Sequence, residues 1–444
     1  MQNSYTQYNQ EDTFEYFSID DIEDATKYLT NPSSFRSFNE GLTELLIKKG
    51  YSGNTNNIKE LSKYLISRLR KINSTIGDET VISWFSGIHS PKVEAGSRTK
   101  IYQICFALEL TYKETLWFFH HVYYDRAFNC HMIEEAVYYY SFLNGLSYQE
   151  AQKVIQEVEE VEQALTITTN ADKSTNYTQF VKNRILDFNS VAELKEFLIM
   201  NKDNFNAWNQ SALKTLNQLV LELIGPPESK ATIDNLKQSI NHKRNKNAKT
   251  LAFDLTDYQN CGLLIKELLL DSQDSSENPA QSPAAYVSQA IEGRNTRKNT
   301  FILERILGTD KICRDNKKIQ IPYIIRNNFP SKKTMSDVLS KDKISVSKSY
   351  DSIRKMIVLL DFYRFWANEK LKKGYTNFSM DMLSDLSETY IEEANTCLYQ
   401  CGYEELYAGN PYDWIFLSSA RSEDPIKYFR QLIGELCDDD INDC

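Results

Sequence analysis

The sequence predicts an all-α protein with an N-terminal helix-turn-helix domain, followed by helical middle and C-terminal domains. Three observations support this prediction. Glycine and proline are scarce, with 15 and 10 in 444 residues, which disfavours an all-β sandwich with its many turns. Apolar residues recur at helical spacing along much of the chain, and helix-capping residues bracket those stretches. The length is sufficient for two or three hydrophobic cores.

Polar stretches divide the chain into segments. Thr166 to Asn176 and Asp271 to Pro283 contain few apolar residues and are predicted to be linkers. The predicted segments are an acidic N-terminal tail at 1–30, a helix-turn-helix DNA-binding domain with a helical extension at 31–162, a helical middle domain at 177–270 and a helical C-terminal domain at 284–444. The tail is expected to be solvated chain or a short acidic helix.

Two helices are predicted at the start of the first domain. The first ends at Gly50, because glycine commonly terminates helices. The second runs from Ile58 to Ile72 and has Leu61, Leu65 and Leu69 on one face. This stripe is expected to face the core of the domain.

A third, shorter helix lies in ETVISWFSGIHSP, which follows Asp78. Val81, Ile82 and Phe85 are expected to pack inward. Asp78 is a candidate N-cap, because its carboxylate can accept the unpaired amides of the first turn. Gly87 is a candidate helix stop, because glycine takes a left-handed backbone without steric cost. On its periodicity alone, the stretch also fits a short surface helix of an all-helical protein.

The surroundings of this helix resemble a known family. Two more helices are predicted between Ser97 and Phe119. With the W-F-S-G-x-x-x-P element before them, they resemble the XRE/Cro-like phage-repressor-type helix-turn-helix family over roughly residues 35–150. The matching residues are Trp84, Phe85, Ser86, Gly87, Pro91, Ala107, Leu108, Leu110, Glu114 and Thr115. The resemblance implies a DNA-recognition helix that ends at Gly87. The link NSTIG before it is longer than the turn of a standard motif.

The resemblance and the local charge together predict binding to double-stranded DNA. Hydroxyl side chains reach base edges in the major groove, and cationic side chains hold phosphates. Between Ile58 and Lys100 eight basic residues accompany four acidic ones, although the net charge of the chain is −10. The residues predicted to read bases are Thr80, Ser83 and His89, and those predicted to hold phosphates are Lys71, Lys92, Arg98 and Lys100.

The expected function is therefore that of a transcriptional regulator, whose C-terminal domain serves homodimerisation, binding of a protein partner or a second DNA contact. The alternative is a helical protein-interaction scaffold that keeps the helix-turn-helix shape without binding DNA. The acidic overall charge favours this alternative. A continuous positive face joining Lys71, Lys92 and Arg98 would favour DNA binding, whereas acidic neighbours that interrupt it would favour the scaffold.

A second, winged helix-turn-helix is predicted within the C-terminal domain at residues 334–366. Its long helix, from Ser349 onward, would present Ser352, Arg354 and Lys355 to DNA. The same helix is also apolar enough to be a central core helix, and these two interpretations are compatible.

A stretch of the C-terminal domain is similar in sequence to the end of the first domain. Without gaps, the aligned pairs are Tyr124 with Tyr403, Asp125 with Glu404, Phe128 with Tyr407 and Glu134 with Asp413. An internal duplication and a shared helix-loop-helix habit both account for this similarity.

Several classes of protein are disfavoured. Nucleotide-binding, nucleophile-elbow and zinc-protease motifs are missing, so no enzyme and no cofactor is expected. The cluster His120, His121, Cys130 and His131 lacks the paired spacing of a zinc site. Neither a secretory leader nor a run of about 20 apolar residues occurs, which predicts a cytoplasmic protein without membrane contact. The eight cysteines are expected to be reduced thiols.

Overall fold

The computed structural model describes residues 21–31, 34–91, 95–161, 177–224, 346–372 and 379–438. Within these ranges every regular element is a helix and none is a strand, which confirms the all-α class. The first half contains α1 (Ile22–Thr30), α2 (Phe38–Lys48), α3 (Ile58–Lys71), α4 (Asp78–Phe85), α5 (Ala95–Ala107), α6 (Tyr112–Phe118), a π-helical turn (Phe119–Tyr123) that continues α6, α7 (Ile133–Asn144) and α8 (Tyr148–Glu160).

Seven more helices follow in the described ranges. They are α9 (Tyr177–Leu186), α10 (Val191–Met200), α11 (Lys202–Ile224), α12 (Val346–Lys372), α13 (Met380–Gln400), α14 (Pro411–Ser419) and α15 (Pro425–Asp438). Local sequence sets several of their ends. Ser147 and Glu150 form a capping box at the start of α8, and Gly145, with a φ of 74°, ends α7.

Buried apolar side chains form two cores. The first core is built from α2 to α10 with Phe205 at the start of α11, and includes Phe38, Leu65, Trp84, Tyr102 and Tyr138. Leu61, Leu65 and Leu69 of α3 are all buried, as their spacing predicts. This first core contains the helices of the predicted DNA-binding domain.

The second core contains α12 to α15 together with α1 and α11. The two cores cut across the segments that the sequence predicts. Ala212, Leu216, Leu219 and Leu223 of α11, in the predicted middle domain, are buried against α12 of the C-terminal domain. The reason is the apolar stripe of α11, which recurs at helical spacing and needs a partner surface. Both predicted linkers lie outside the described residues.

The acidic tail at 1–30 is a packed helix in the part that is described. Asp21 caps α1, whose apolar residues Ala25 and Leu29 are fully buried, and the helix packs on α15. Its acidic residues Glu23 and Asp24 face solvent with Lys27. The short acidic helix is thus observed, and a solvated tail is not observed over these residues.

Helix α12 is a central core helix. It packs on α5, α11, α13, α14 and α15. Ser352 and Lys355 are each 6% exposed, and Arg354 is paired with Asp413, so none of the three can face DNA as the second helix-turn-helix requires. The start of that predicted motif, before Val346, lies outside the described residues. Across the described ranges, no helix combines the length and apolar character needed to cross a bilayer.

Candidate nucleic-acid interface

Helix α4 is held at both ends by its local sequence. Gly77 is the N-cap residue and Asp78 is the first helical residue, so the prediction that Asp78 caps the helix is wrong. Instead, the Asp78 carboxylate accepts a hydrogen bond from Arg70 at 2.6 Å. Gly87 follows the last turn with a φ of 70°, as expected for a glycine that terminates a helix.

The inner face of α4 packs on α2 and α3. Val81, Trp84 and Phe85 are at most 4% exposed, and the rings of Trp84 and Phe38 meet edge to face at 5.7 Å. Ile82 was predicted to pack inward but is 46% exposed, because Trp84 takes its place in the core. An eight-residue helix has room for only one buried stripe, and the larger indole buries more apolar area.

The outer face of α4 combines hydroxyl, acidic and apolar side chains. Glu79 and Ile82 are exposed, and Thr80, Ser83 and Ser86 are half-buried. The Ser83 hydroxyl donates to the Thr80 carbonyl at 2.8 Å, and the Ser86 hydroxyl donates to the Ser83 carbonyl at 3.1 Å. Each hydroxyl oxygen therefore keeps its lone pairs as acceptors. His89, just beyond the helix, is exposed.

The cationic residues around α4 differ in how they are used. Lys71, at the end of α3, is exposed, and Lys100, in α5, is half-buried. Neither forms an ion pair with any residue in the described ranges, so both ammonium groups are available to an anion. Arg70 is partly neutralised by Asp78. Lys92 lies outside the described residues.

Arg98 is placed differently from the prediction. Its side chain is 2% exposed, and its guanidinium donates to both carboxylate oxygens of Glu135, at 2.7 and 2.8 Å. It also donates to the carboxylate of Asp125 and to the Arg126 carbonyl. Burial by itself lowers the pKa of Arg98, but the charges of Glu135 and Asp125 outweigh burial and hold the pKa well above its usual value. The guanidinium therefore stays charged. A phosphate cannot reach this guanidinium, and Arg98 leaves the set of phosphate contacts for this reason.

The partners of Arg98 hold the loop between α6 and α7. The Glu135 carboxylate accepts the backbone N–H of Asn129 at 2.6 Å and the hydroxyl of Tyr102 at 2.9 Å. The Tyr102 hydroxyl in turn accepts the N–H of Phe128 at 2.7 Å. Sequence reasoning missed this network, because Arg98 stands in the polar run Ser97 to Lys100 and its carboxylate partners come later in the chain, after α6 and in α7.

A small cavity lies where this loop meets the C-terminal core. It has a volume of about 20 Å³, enough for one water molecule, and Asp125, Asn129, Asp351 and Tyr407 contribute to its wall. Asp351 is 5% exposed, and its Oδ2 atom has no hydrogen-bond partner in the described part of the chain. Burial raises the pKa of Asp351 to about 7.

The histidine and cysteine cluster shows no metal geometry. His131 is buried with its ring stacked on Tyr350 at 3.3 Å, and His120 lies 5.5 Å from the ring of Tyr407. Among the residues that the structure describes, no group of three or more potential ligands is arranged to hold a metal ion.

The surface of α4 is thus the part of the predicted site that stays together, with Thr80 and Ser83 half-buried on it and the exposed His89 tied to it by a backbone hydrogen bond to the Ser83 carbonyl at 3.3 Å. Comparison with known proteins adds no relative, because no protein-family model, no curated protein and no solved structure matches the chain.

Proposed function

We propose that the chain is a sequence-specific double-stranded DNA-binding protein that regulates transcription, with α4 lying in the major groove. One observation carries this proposal: α4 buries Val81, Trp84 and Phe85 against α2 and α3 and turns a mixed hydroxyl and apolar face outward. Such a helix is supported from behind and presents its other face to a ligand. The major groove admits one α-helix of this kind.

The outer face has chemistry suited to base edges. The Thr80 hydroxyl can donate to or accept from a base edge, and the Ser83 hydroxyl, whose proton is donated to the Thr80 carbonyl, can accept from a base donor. Glu79, at the start of the same face, can accept from the amino group of cytosine. His89 is close enough in sequence to reach the same groove. In this proposal Lys71, Lys100 and Lys92 contact phosphates on either side.

Net charge constrains the kind of binding. With a net charge of −10 and an acidic residue paired to Arg70, the protein has little general attraction for a polyanion. Affinity would therefore depend more on base contacts than on phosphate neutralisation. We expect weak binding to arbitrary DNA and a shallow dependence on salt, because few phosphates are neutralised.

The test is selection of genomic fragments by the purified full-length chain at two salt concentrations. A discrete enriched sequence, retained at the higher salt, supports the proposal. Uniform weak recovery of all fragments, or no recovery, contradicts it.

A double variant, Thr80→Ala with Ser83→Ala, tests the role of α4 on the enriched sequence. Each lost base contact should weaken binding by ~1–3 kcal/mol and relax sequence preference. The control is Ser67→Ala with Thr389→Ala, because these hydroxyls, like that of Ser83, donate to carbonyls of their own helices, in α3 and α13. Equal affinity and preference in both double variants would remove α4 from the interface.

A protein-interaction scaffold is the second candidate. Arg98 is buried and Arg70 is paired with Asp78, so the continuous positive face expected of a DNA-binding protein is reduced to separate lysines. Ile82 and Ile88 are 46% and 64% exposed, and such side chains also suit a protein partner. The fragment selection separates the two, since a scaffold would enrich no sequence.

A further inference from the structure

The C-terminal core repeats the buried pair of Arg98 and Glu135. In α12, Arg354 donates to both carboxylate oxygens of Asp413, each at 2.8 Å. The Asp413 side chain is 1% exposed. Glu135 and Asp413 are each the third residue of the helix that follows a loop, α7 and α14 respectively. Each pair therefore ties one helix to the first turn of a later one.

The two loops match in their backbone as well. The backbone N–H six residues before the carboxylate donates to it in both, from Asn129 at 2.6 Å and from Tyr407 at 3.0 Å. Each loop opens with a left-handed residue, Tyr124 with a φ of 57° and Gly402 with a φ of 75°. Tyr124 is the more informative of the two, because left-handed backbone is uncommon outside glycine, whereas a glycine often follows a helix end.

The carbonyls that accept from the arginines occupy the same place. Arg98 donates to the carbonyl of Arg126 at 2.9 Å, and Arg354 donates to the carbonyls of Glu404 and Glu405 at 3.5 and 3.3 Å. One offset of 278 residues, the separation of Arg126 and Glu404, relates every matching loop position. The ungapped sequence alignment, which pairs Tyr124 with Tyr403, is therefore out of register by one residue.

The helices also correspond in order. We call α5 to α8 unit A and α12 to α15 unit B; in each, a helix with the arginine is followed by a second helix, the loop, the helix with the carboxylate and a last helix. The units differ in helix length, since the paired residues are 37 apart in unit A and 59 apart in unit B.

Units A and B meet at equivalent positions. Helices α5 and α12 pack on each other. Arg126 and Glu404, which occupy the same loop position, form an ion pair at 3.0 Å with side chains 11% and 22% exposed. Equivalent residues contact each other only near a two-fold axis, as in the interface of a symmetric dimer. These two contacts are what an approximate two-fold axis close to this ion pair would produce.

We propose that units A and B are two copies of one four-helix unit, joined in a single chain about this axis, and that the protein works as a monomer. The surface through which one unit would bind a second copy is already covered within the chain. The axis also carries opposite charges. Pairing unit A with unit A of another chain would bring two copies of Arg126 together, and pairing unit B with unit B would bring two copies of Glu404 together.

The first test is the mass of the full-length chain in solution, measured by light scattering across the micromolar range. A monomer of 51.6 kDa at all concentrations is expected. A stable dimer at these concentrations would overturn the proposal. This measurement needs no DNA, so it decides the proposal even if the proposed DNA binding fails.

The second test concerns the ion pair on the axis. Arg126→Glu would place a carboxylate against Glu404, and the Tm should fall by about 5 °C or more. Lys182 also contacts Glu404, at 2.5 Å, so the restoring variant inverts all three charges: Arg126→Glu, Lys182→Glu and Glu404→Arg. We expect it to regain at least half of the lost Tm. Lys153→Glu, whose side chain is 76% exposed in α8, is the control.

An unchanged Tm in Arg126→Glu, or no recovery in the triple variant, would show that this contact does not hold the units together. If a target sequence is found, one chain per duplex is the expected stoichiometry, and this prediction rests on the proposed function. Two chains bound to one duplex would contradict the proposal that the protein works as a monomer.

Discussion

Arg98 and Glu135 lie 37 residues apart in the chain, yet they form a buried two-point ion pair with both side chains 2% exposed. The guanidinium spans from α5 to the first turn of α7 and also holds the intervening loop through the Arg126 carbonyl. The loop that it holds contains Arg126, whose contact with Glu404 joins the two cores. Through this loop, Arg98 helps to connect the helical extension of the first domain to the C-terminal half.

Replacing Glu135 by glutamine should be strongly destabilising. The substitution keeps the shape of the side chain but leaves Arg98 buried with Asp125 as its remaining charged partner. Leaving a buried charge uncompensated costs about 3–5 kcal/mol, and because Asp125 still pairs with Arg98 we expect a loss near the lower end, about 3 kcal/mol. Urea unfolding at neutral pH measures the change in the free energy of unfolding.

The control for this variant is Asp78→Asn, which breaks the ion pair with Arg70. That pair is exposed, with side chains at 71% and 51%, so its loss should cost less than about 1 kcal/mol. If Glu135→Gln were no more destabilising than Asp78→Asn, the pair would not organise the fold in the way that its burial indicates.

Local features of the sequence predicted the helices well. The end of α2 just before Gly50 and the span of α3 follow from apolar spacing and capping residues, which act within a few positions of the chain. The all-α class follows for the same reason. Such signals need no knowledge of what lies across the core.

Features that depend on distant residues could not be predicted. Arg98 reads as a surface cation in the sequence, because its partner Glu135 comes after two more helices and a loop. The inward face of α4 was also ambiguous, because its short apolar run allowed either Ile82 or Trp84 to be buried. Trp84 is the residue that is buried, because α4 packs with that side against α2 and α3.

Replacing Asp351 by asparagine should change how stability depends on pH. Burial raises the pKa of Asp351 to about 7 in the folded protein; Arg98 and Lys355 oppose this shift and Asp125 adds to it. In the unfolded chain the carboxyl group ionises near its usual pKa of about 4. The folded state therefore binds the extra proton, and stability falls as pH rises through about 7.

We expect the wild-type protein to lose about 1 kcal/mol relative to Asp351→Asn between pH 6 and pH 8. Urea unfolding of both proteins at these two pH values measures the difference, and other titrating groups cancel in the comparison. A difference between the two proteins that does not vary with pH would mean that Asp351 is ionised throughout this range.

His131 should have the opposite effect at acidic pH. Burial lowers the pKa of its imidazole well below the ordinary value, and the charge on Arg98 lowers it further. The folded protein therefore keeps the ring neutral where the unfolded chain would protonate it. Stability is lost as pH falls below about 6.5, the usual pKa of histidine.

In His131→Phe the ring can still stack on Tyr350 but no longer titrates. Between pH 6.5 and pH 5 the variant should lose about 1–2 kcal/mol less stability than the wild-type protein. Parallel curves for His131→Phe and wild type would contradict a neutral, buried His131.

Replacing Gly87 by alanine should destabilise the end of α4. Gly87 has a φ of 70°, and the nearest atom to an added Cβ is 3.9 Å away, so the cost arises from the backbone and not from a steric clash with a neighbour. An L-residue in this left-handed conformation costs about 1–2 kcal/mol.

Gly77→Ala is the matched control, because Gly77, at the other end of α4, has a φ of −70° and open space around it. Urea unfolding should separate the two variants by about 1 kcal/mol or more. If they were equally stable, α4 would end without needing the left-handed glycine, and the helix proposed to enter the major groove would have a different C-terminus.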